Sequence, residues 1–204
     1  MKYLALGDSY TIGEGVAEDQ RWPVQLARAL RAEGLPVADP RIIATTGWTT
    51  DELSAAMDAA EPLGTWGCVS LLVGVNDQYR GRGVDAFRDA FHPLLERALG
   101  LVSGGTRRVL VLSIPDWSVT PFGAASGRDL AQVARELDAY NACAEALCAQ
   151  HGVCFVDVTG ISRAWGADPE MLVEDGLHPS GAMYRLWTER ALPFARRLLA
   201  DVAT

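Results

Sequence analysis

A serine follows the first apolar run of the chain, in Gly7-Asp8-Ser9-Tyr10-Thr11-Ile12-Gly13-Glu14-Gly15. A hydroxyl held at a strand-to-loop turn is a candidate nucleophile, provided a base can take its proton. The other end of the chain offers that base. Asp175-Gly176-Leu177-His178-Pro179 sets a carboxylate three residues before an imidazole, close enough for one loop to present both. Serine, histidine and aspartate together are the working parts of acyl transfer. Each piece also has a plainer reading. Gly-Asp-Ser is an ordinary turn composition, in which Asp8 braces the turn rather than reacts, and Asp175 to His178 is equally a surface loop before a helix capped by Ser180.

For these residues to meet, the elements between them must fold the chain back on itself. Short β-type runs at Tyr3 to Leu6, Arg41 to Thr45, Cys68 to Val73, Arg108 to Ile114 and Val153 to Val158 alternate with helical patterns. That alternation predicts a parallel sheet with crossover helices. Leu130, Val133, Ala134, Leu137, Tyr140, Ala144 and Leu147 keep helical spacing and Gly152 reads as the stop. Further helices are predicted over Pro23 to Ala32, Asp51 to Ala59, Val84 to Val102 and Ser180 to Ala200, the last kinked or divided at Pro193. Pro115 to Arg128 and Thr159 to Leu177 read as long loops, and long loops in compact domains are often functional.

With 204 residues and 49% apolar content, the chain is read as one domain, residues 1–204, with one core. A net charge of -8 opposes binding to a phosphate backbone, so no nucleic-acid partner is expected. No segment is long enough to span a bilayer. The apolar run at the N-terminus is too short for a signal sequence, which gives a cytoplasmic expectation. Cys68, Cys143, Cys148 and Cys154 lack paired metal-ligand spacing and read as free thiols.

Four blocks in order, Gly7-Asp8-Ser9, Gly47, Gly74-Val75-Asn76-Asp77 and Asp175-Gly176-Leu177-His178, resemble the motifs of the GDSL/SGNH hydrolases. That family comprises serine esterases, lipases, thioesterases and carbohydrate deacetylases. The resemblance implies a flavodoxin-like three-layer α/β/α sandwich whose five parallel strands run in the order 2-1-3-4-5. It also implies roles: Ser9 as nucleophile, His178 as general base, Asp175 as its orienter. The oxyanion hole would comprise the Ser9 and Gly47 N–H groups and the Asn76 amide. The expected substrate is a small-molecule carboxylic ester or thioester, with no metal or organic cofactor, and the oligomeric state stays open. Ser9, Gly47 and Asn76 each fall just past a predicted strand, at the edge where open α/β sheets bind ligands.

Two other functions fit parts of the same pattern. Asp8, Asp77, Asp175 and His178 are candidate ligands for the divalent ion of a phosphoesterase. The glycine-rich Gly7 to Gly15 segment is a candidate phosphate cradle in a non-catalytic module, although it lacks a P-loop ending. Gly47 alone reads as a turn glycine, and Asp77 as a strand-end cap. His92 and His151 read as structural, the latter meeting a helix C-terminus. Trp48, Tyr79, Trp117, Phe122 and Trp165 line a pocket or pin loops, and Arg80 and Arg82 meet an anionic leaving group or lie solvated.

Overall fold

The computed structural model describes residues 1–103 and 108–200. Its sheet is built from β1 (Tyr3–Gly7), β2 (Arg41–Ala44), β3 (Cys68–Leu72), β4 (Val109–Leu112) and β5 (Cys154–Val156). All neighbours pair in parallel and the order is β2-β1-β3-β4-β5, as the resemblance implies. β1 and β4 are buried along their whole length, which explains their continuous apolar runs: a parallel sheet covered on both faces has no polar side. Pairing register aligns the strand ends. Gly7 lies opposite Ala44 on one side and Leu72 on the other, so the first three strands end at one level.

Helices α2 (Trp22–Ala32) and α9 (Gly181–Ala200) pack together on one face, and α3 (Thr50–Ala59), α5 (Val84–Gly100) and α7 (Leu130–His151) form the other layer. Each buries a stripe at helical spacing: Trp22, Leu26 and Leu30 in α2, and Val133, Leu137, Tyr140, Ala144 and Leu147 in α7. Caps explain several of the boundaries. Asp129 accepts the Gln132 N–H at 3.0 Å to start α7, and Gly152 ends it with φ 65°. A Thr49–Glu52 capping box starts α3 one residue earlier than the predicted Asp51.

Helix α9 continues through Pro193 without dividing. Proline forfeits one backbone bond there, but Pro193 and Glu189, the residue whose carbonyl is freed, are both exposed or nearly so. The two predicted long loops also contain regular structure. The first holds a 3₁₀ turn, Trp117–Val119, and α6 (Pro121–Ala125); the second holds α8 (Thr159–Trp165) and a 3₁₀ turn, Pro169–Met171. Two more short helices, α1 (Ser9–Ile12) and α4 (Val75–Tyr79), follow β1 and β3. The four cysteines are free, as expected, with Cys148 fully buried and the other three half-buried. No described helix is long and apolar enough to cross a membrane.

Candidate active site

Ser9 is the first residue of α1, and its neighbours are arranged to hold it there. A Cβ on Gly7 would lie 2.2 Å from Thr11 Oγ1 and 2.4 Å from the Leu72 carbonyl oxygen, so this position has room only for glycine. Asp8 then caps the helix: its Oδ1 accepts the Tyr10 N–H, and its carbonyl accepts those of Thr11 and Ile12, all at 3.0 Å. As the first helical residue, Ser9 has no intrahelical acceptor for its own N–H. Asp8 is fully buried and its Oδ2 has no partner among the described residues. Burial pushes its carboxyl up to about 7, with the Asp77 charge adding to the rise and the Tyr10 N–H opposing it.

The other chain terminus brings in a tight loop. Leu172 and Pro179 form an antiparallel bridge, Val173 N–H donates to the His178 carbonyl at 2.9 Å, and Gly176 turns the chain with φ 65°. Inside this loop Asp175 Oδ1 accepts the Leu177 and His178 N–H groups at 2.8 and 2.9 Å. Its Oδ2 lies 2.5 Å from His178 Nδ1. A carboxylate in that position keeps the proton on Nδ1 and leaves Nε2 as the basic nitrogen. Partial burial pushes the Asp175 carboxyl up, but the bonds from His178 and Leu177 outweigh it and hold the group below the usual carboxylate range. The His178 ring packs against Tyr10, the residue after Ser9, with ring centroids 5.8 Å apart.

Gly47 and Asn76 belong to one connected unit. Gly47 has φ 87°, in the left-handed region that glycine tolerates, and its carbonyl accepts from Arg80 at 2.7 Å. Asn76, in α4, donates one amide N–H to the Trp48 carbonyl at 2.9 Å, which fixes the amide and leaves its second N–H for another acceptor. Beneath them Asp77 is fully buried. It accepts the Thr50 N–H and hydroxyl at 2.9 and 3.0 Å and pairs with Arg82 at 3.1 Å. Arg80 likewise pairs with Glu52 and Arg82 with Asp51, so neither arginine stands free as an anion receptor.

Ser9, Gly47, Asn76 and His178 all line one cavity of about 220 Å³, with Asp175 behind His178. Its remaining wall is mostly apolar: Tyr10, Val75, Tyr79, Trp117, Phe122 and Leu177, with Thr46 at one side. Tyr79, Trp117 and Phe122 form an aromatic cluster with centroids 5.5–6.4 Å apart. Arg128 lies over the Tyr79 ring at 4.1 Å, and Gln78 accepts the Trp117 indole N–H at 3.0 Å. Trp48 and Trp165 stand outside this cavity, Trp48 packed on the core and Trp165 exposed. Sequence reasoning missed Tyr10, Val75, Leu177 and the Arg128 contact. All three residues adjoin Ser9, Asn76 or His178, so proximity to those was the one signal; the Arg128–Tyr79 contact spans too many residues to carry one.

The match to the family model of the GDSL-like lipases and acylhydrolases covers residues 5–186. Among solved structures, that of TesA is similar to the chain at 23% identity and a TM-score of 0.76, covering 98% of this chain and 100% of that one. A lipase/acylhydrolase from Enterococcus faecalis is similar at 22% identity and a TM-score of 0.74, covering 98% and 97%. An acetyl xylan esterase from Geobacillus stearothermophilus is similar at 19% identity and a TM-score of 0.72, covering 95% and 94%. No curated protein matches the chain. The family match runs from β1 into α9 and so takes in all four motif blocks, and the chain is thereby a serine esterase belonging to the GDSL-like lipase/acylhydrolase family.

Proposed function

We propose that the chain hydrolyses small carboxylic esters or thioesters through an acyl intermediate on Ser9. The observation that carries this is the shared cavity: Ser9 and His178 line the same apolar pocket, and His178 is braced by Asp175 at 2.5 Å. In the first step His178 Nε2 takes the Ser9 proton as Oγ attacks the acyl carbon. Negative charge forms on the carbonyl oxygen, where the Ser9 and Gly47 N–H groups and the second Asn76 amide N–H receive it. The imidazolium, stabilised by Asp175, then protonates the departing alkoxide or thiolate. Water repeats the sequence on the acyl-enzyme and frees Ser9.

The pocket volume of about 220 Å³ falls below the ~300–1,000 Å³ of sites for drug-sized ligands. That size, with the Tyr79, Trp117 and Phe122 cluster in the wall, favours short to medium acyl groups over long chains. Two of the four ligands of the phosphoesterase reading are engaged elsewhere: Asp77 spends both oxygens on Thr50 and Arg82, and Asp8 is enclosed against α1.

The test is turnover of a chain-length series of p-nitrophenyl esters and acyl-coenzyme A thioesters by wild type and Ser9→Ala. Turnover that resists chelator and vanishes in Ser9→Ala is expected, with the optimum at short to medium acyl length. Activity surviving in Ser9→Ala would refute the nucleophile assignment.

A further inference from the structure

The chain has three histidines, and the two that the pocket does not use meet each other. His92 Nε2, in α5, lies 3.1 Å from His151 Nε2, at the last residue of α7. Glu96, one turn after His92, brings Oε1 to 3.6 Å from the same His92 nitrogen. All three ligand atoms lie within 4.8 Å of one another, and the rings are tilted by 53° rather than stacked. Two neutral imidazoles can share a single N–H···N bond, but that leaves the Glu96 carboxylate pointing at the same spot without a role.

We propose that His92, Glu96 and His151 form a binding site for one divalent transition-metal ion, best suited to Zn²⁺. The spacing supports it. Tetrahedral zinc at ~2.0–2.1 Å from each ligand sets neighbouring ligand atoms roughly 3.3 Å apart, and the two contacts here are 3.1 and 3.6 Å. Two imidazoles with one carboxylate select borderline ions over Mg²⁺ or Ca²⁺, which take all-oxygen shells. His92 and Glu96 are partly exposed, so the fourth position opens to water and the ion has an entry path. His151 closes α7 just ahead of β5, placing the site toward the sheet edge opposite Ser9. The ion therefore clamps α5 to α7, a link between residues 59 apart in sequence, and takes no part in ester cleavage.

Calorimetric titration of the chelator-stripped full chain with Zn²⁺ tests this. One ion per chain is expected, absent in His92→Ala and in His151→Ala, weakened in Glu96→Gln and retained in His178→Ala. Zinc at ~100 times its dissociation constant should raise the wild-type melting temperature by about 5–10 °C, and Mg²⁺ should not. Turnover of a p-nitrophenyl ester by the His92 and His151 variants in chelator, equal to wild type, shows that they are folded. No zinc binding by wild type, or binding undiminished in His92→Ala and His151→Ala, would overturn the site. Unchanged affinity in Glu96→Gln would overturn the three-ligand form of it.

Discussion

Replacing Asp8 with asparagine isolates the energetic cost of an ionisable group sealed next to Ser9. Asp8 is wholly buried, one oxygen caps α1, and the other has no partner among the described residues. Burial raises its carboxyl from 3.8 to about 7, so the folded chain holds a proton there that the unfolded chain releases. The sign follows from linkage: stability from this group is present below the unfolded value and is lost as pH rises toward the folded one. Three units at about 1.4 kcal/mol each make a loss of ~4 kcal/mol between roughly pH 4 and 7. About two of those units lie between pH 5 and 8, so Asp8→Asn should gain ~3 kcal/mol relative to wild type across that interval.

The asparagine keeps the acceptor for the Tyr10 N–H but puts an NH₂ group where the orphan oxygen was. Its unmet donors carry a penalty of ~1–3 kcal/mol, which is the same at every pH. The informative quantity is therefore the slope. Urea unfolding followed by tryptophan fluorescence at several pH values gives both stability curves, and groups titrating alike in the two proteins cancel from the difference. Parallel curves from about pH 5 to 8 would refute the buried-carboxylate argument, whatever their vertical offset.

Asn76→Ala should lower kcat by ~10²–10³ with little change in KM, since in the proposed mechanism its amide meets charge that exists only in the transition state; a change confined to KM would remove it from the oxyanion hole. Asp175→Asn should lower kcat by about 10³–10⁴ by losing control of the His178 tautomer. Because the Asp175 carboxyl sits below its ordinary range, it adds stability above the unfolded value that disappears as pH falls through the folded one. The asparagine variant should accordingly show a flatter acid limb in a thermal melt series. Gly74→Ala combines a φ of 128° with a Cβ 2.6 Å from Phe87 and 2.8 Å from Ile114, so a loss of about 2–4 kcal/mol is expected in urea unfolding. Phe122→Ala should move the acyl-length optimum upward by enlarging the pocket, and an unchanged chain-length profile would take Phe122 out of the wall.

Much of this site was legible because its parts are local or tied to strand ends. His178 and Asp175 are three residues apart, so one loop presents both, and their 2.5 Å contact needs no long-range information. β1 and β4 were readable as unbroken apolar runs, and Gly152 and Ser180 as helix boundaries. The short helices α1, α4, α6 and α8 were not, since four to seven residues are too few for a periodic pattern. Contacts across the fold were hidden for a different reason. Nothing in the neighbourhood of Arg80 or Arg82 announces Glu52 and Asp51 as their partners, and nothing near His92 announces His151.

The sheet order itself makes the site a consequence of topology. With β1 between β2 and β3, and Gly7 level with Ala44 and Leu72, residues just past those three strands emerge side by side. Ser9, Gly47 and Asn76 converge for that reason. His178 has no such help, because β5 ends at the far edge of the sheet. Its loop is held by other means: the Phe122 N–H donates to the Gly176 carbonyl at 3.0 Å, and Tyr10 packs against the imidazole. The segment that walls the cavity thus also anchors the loop carrying His178. The two roles rest on different atoms of Phe122, its ring in the cavity wall and its backbone N–H on the loop. Side-chain changes at Phe122 reshape the pocket while its backbone bond to Gly176 remains, so acyl preference can vary without dismantling the Asp175–His178 pair.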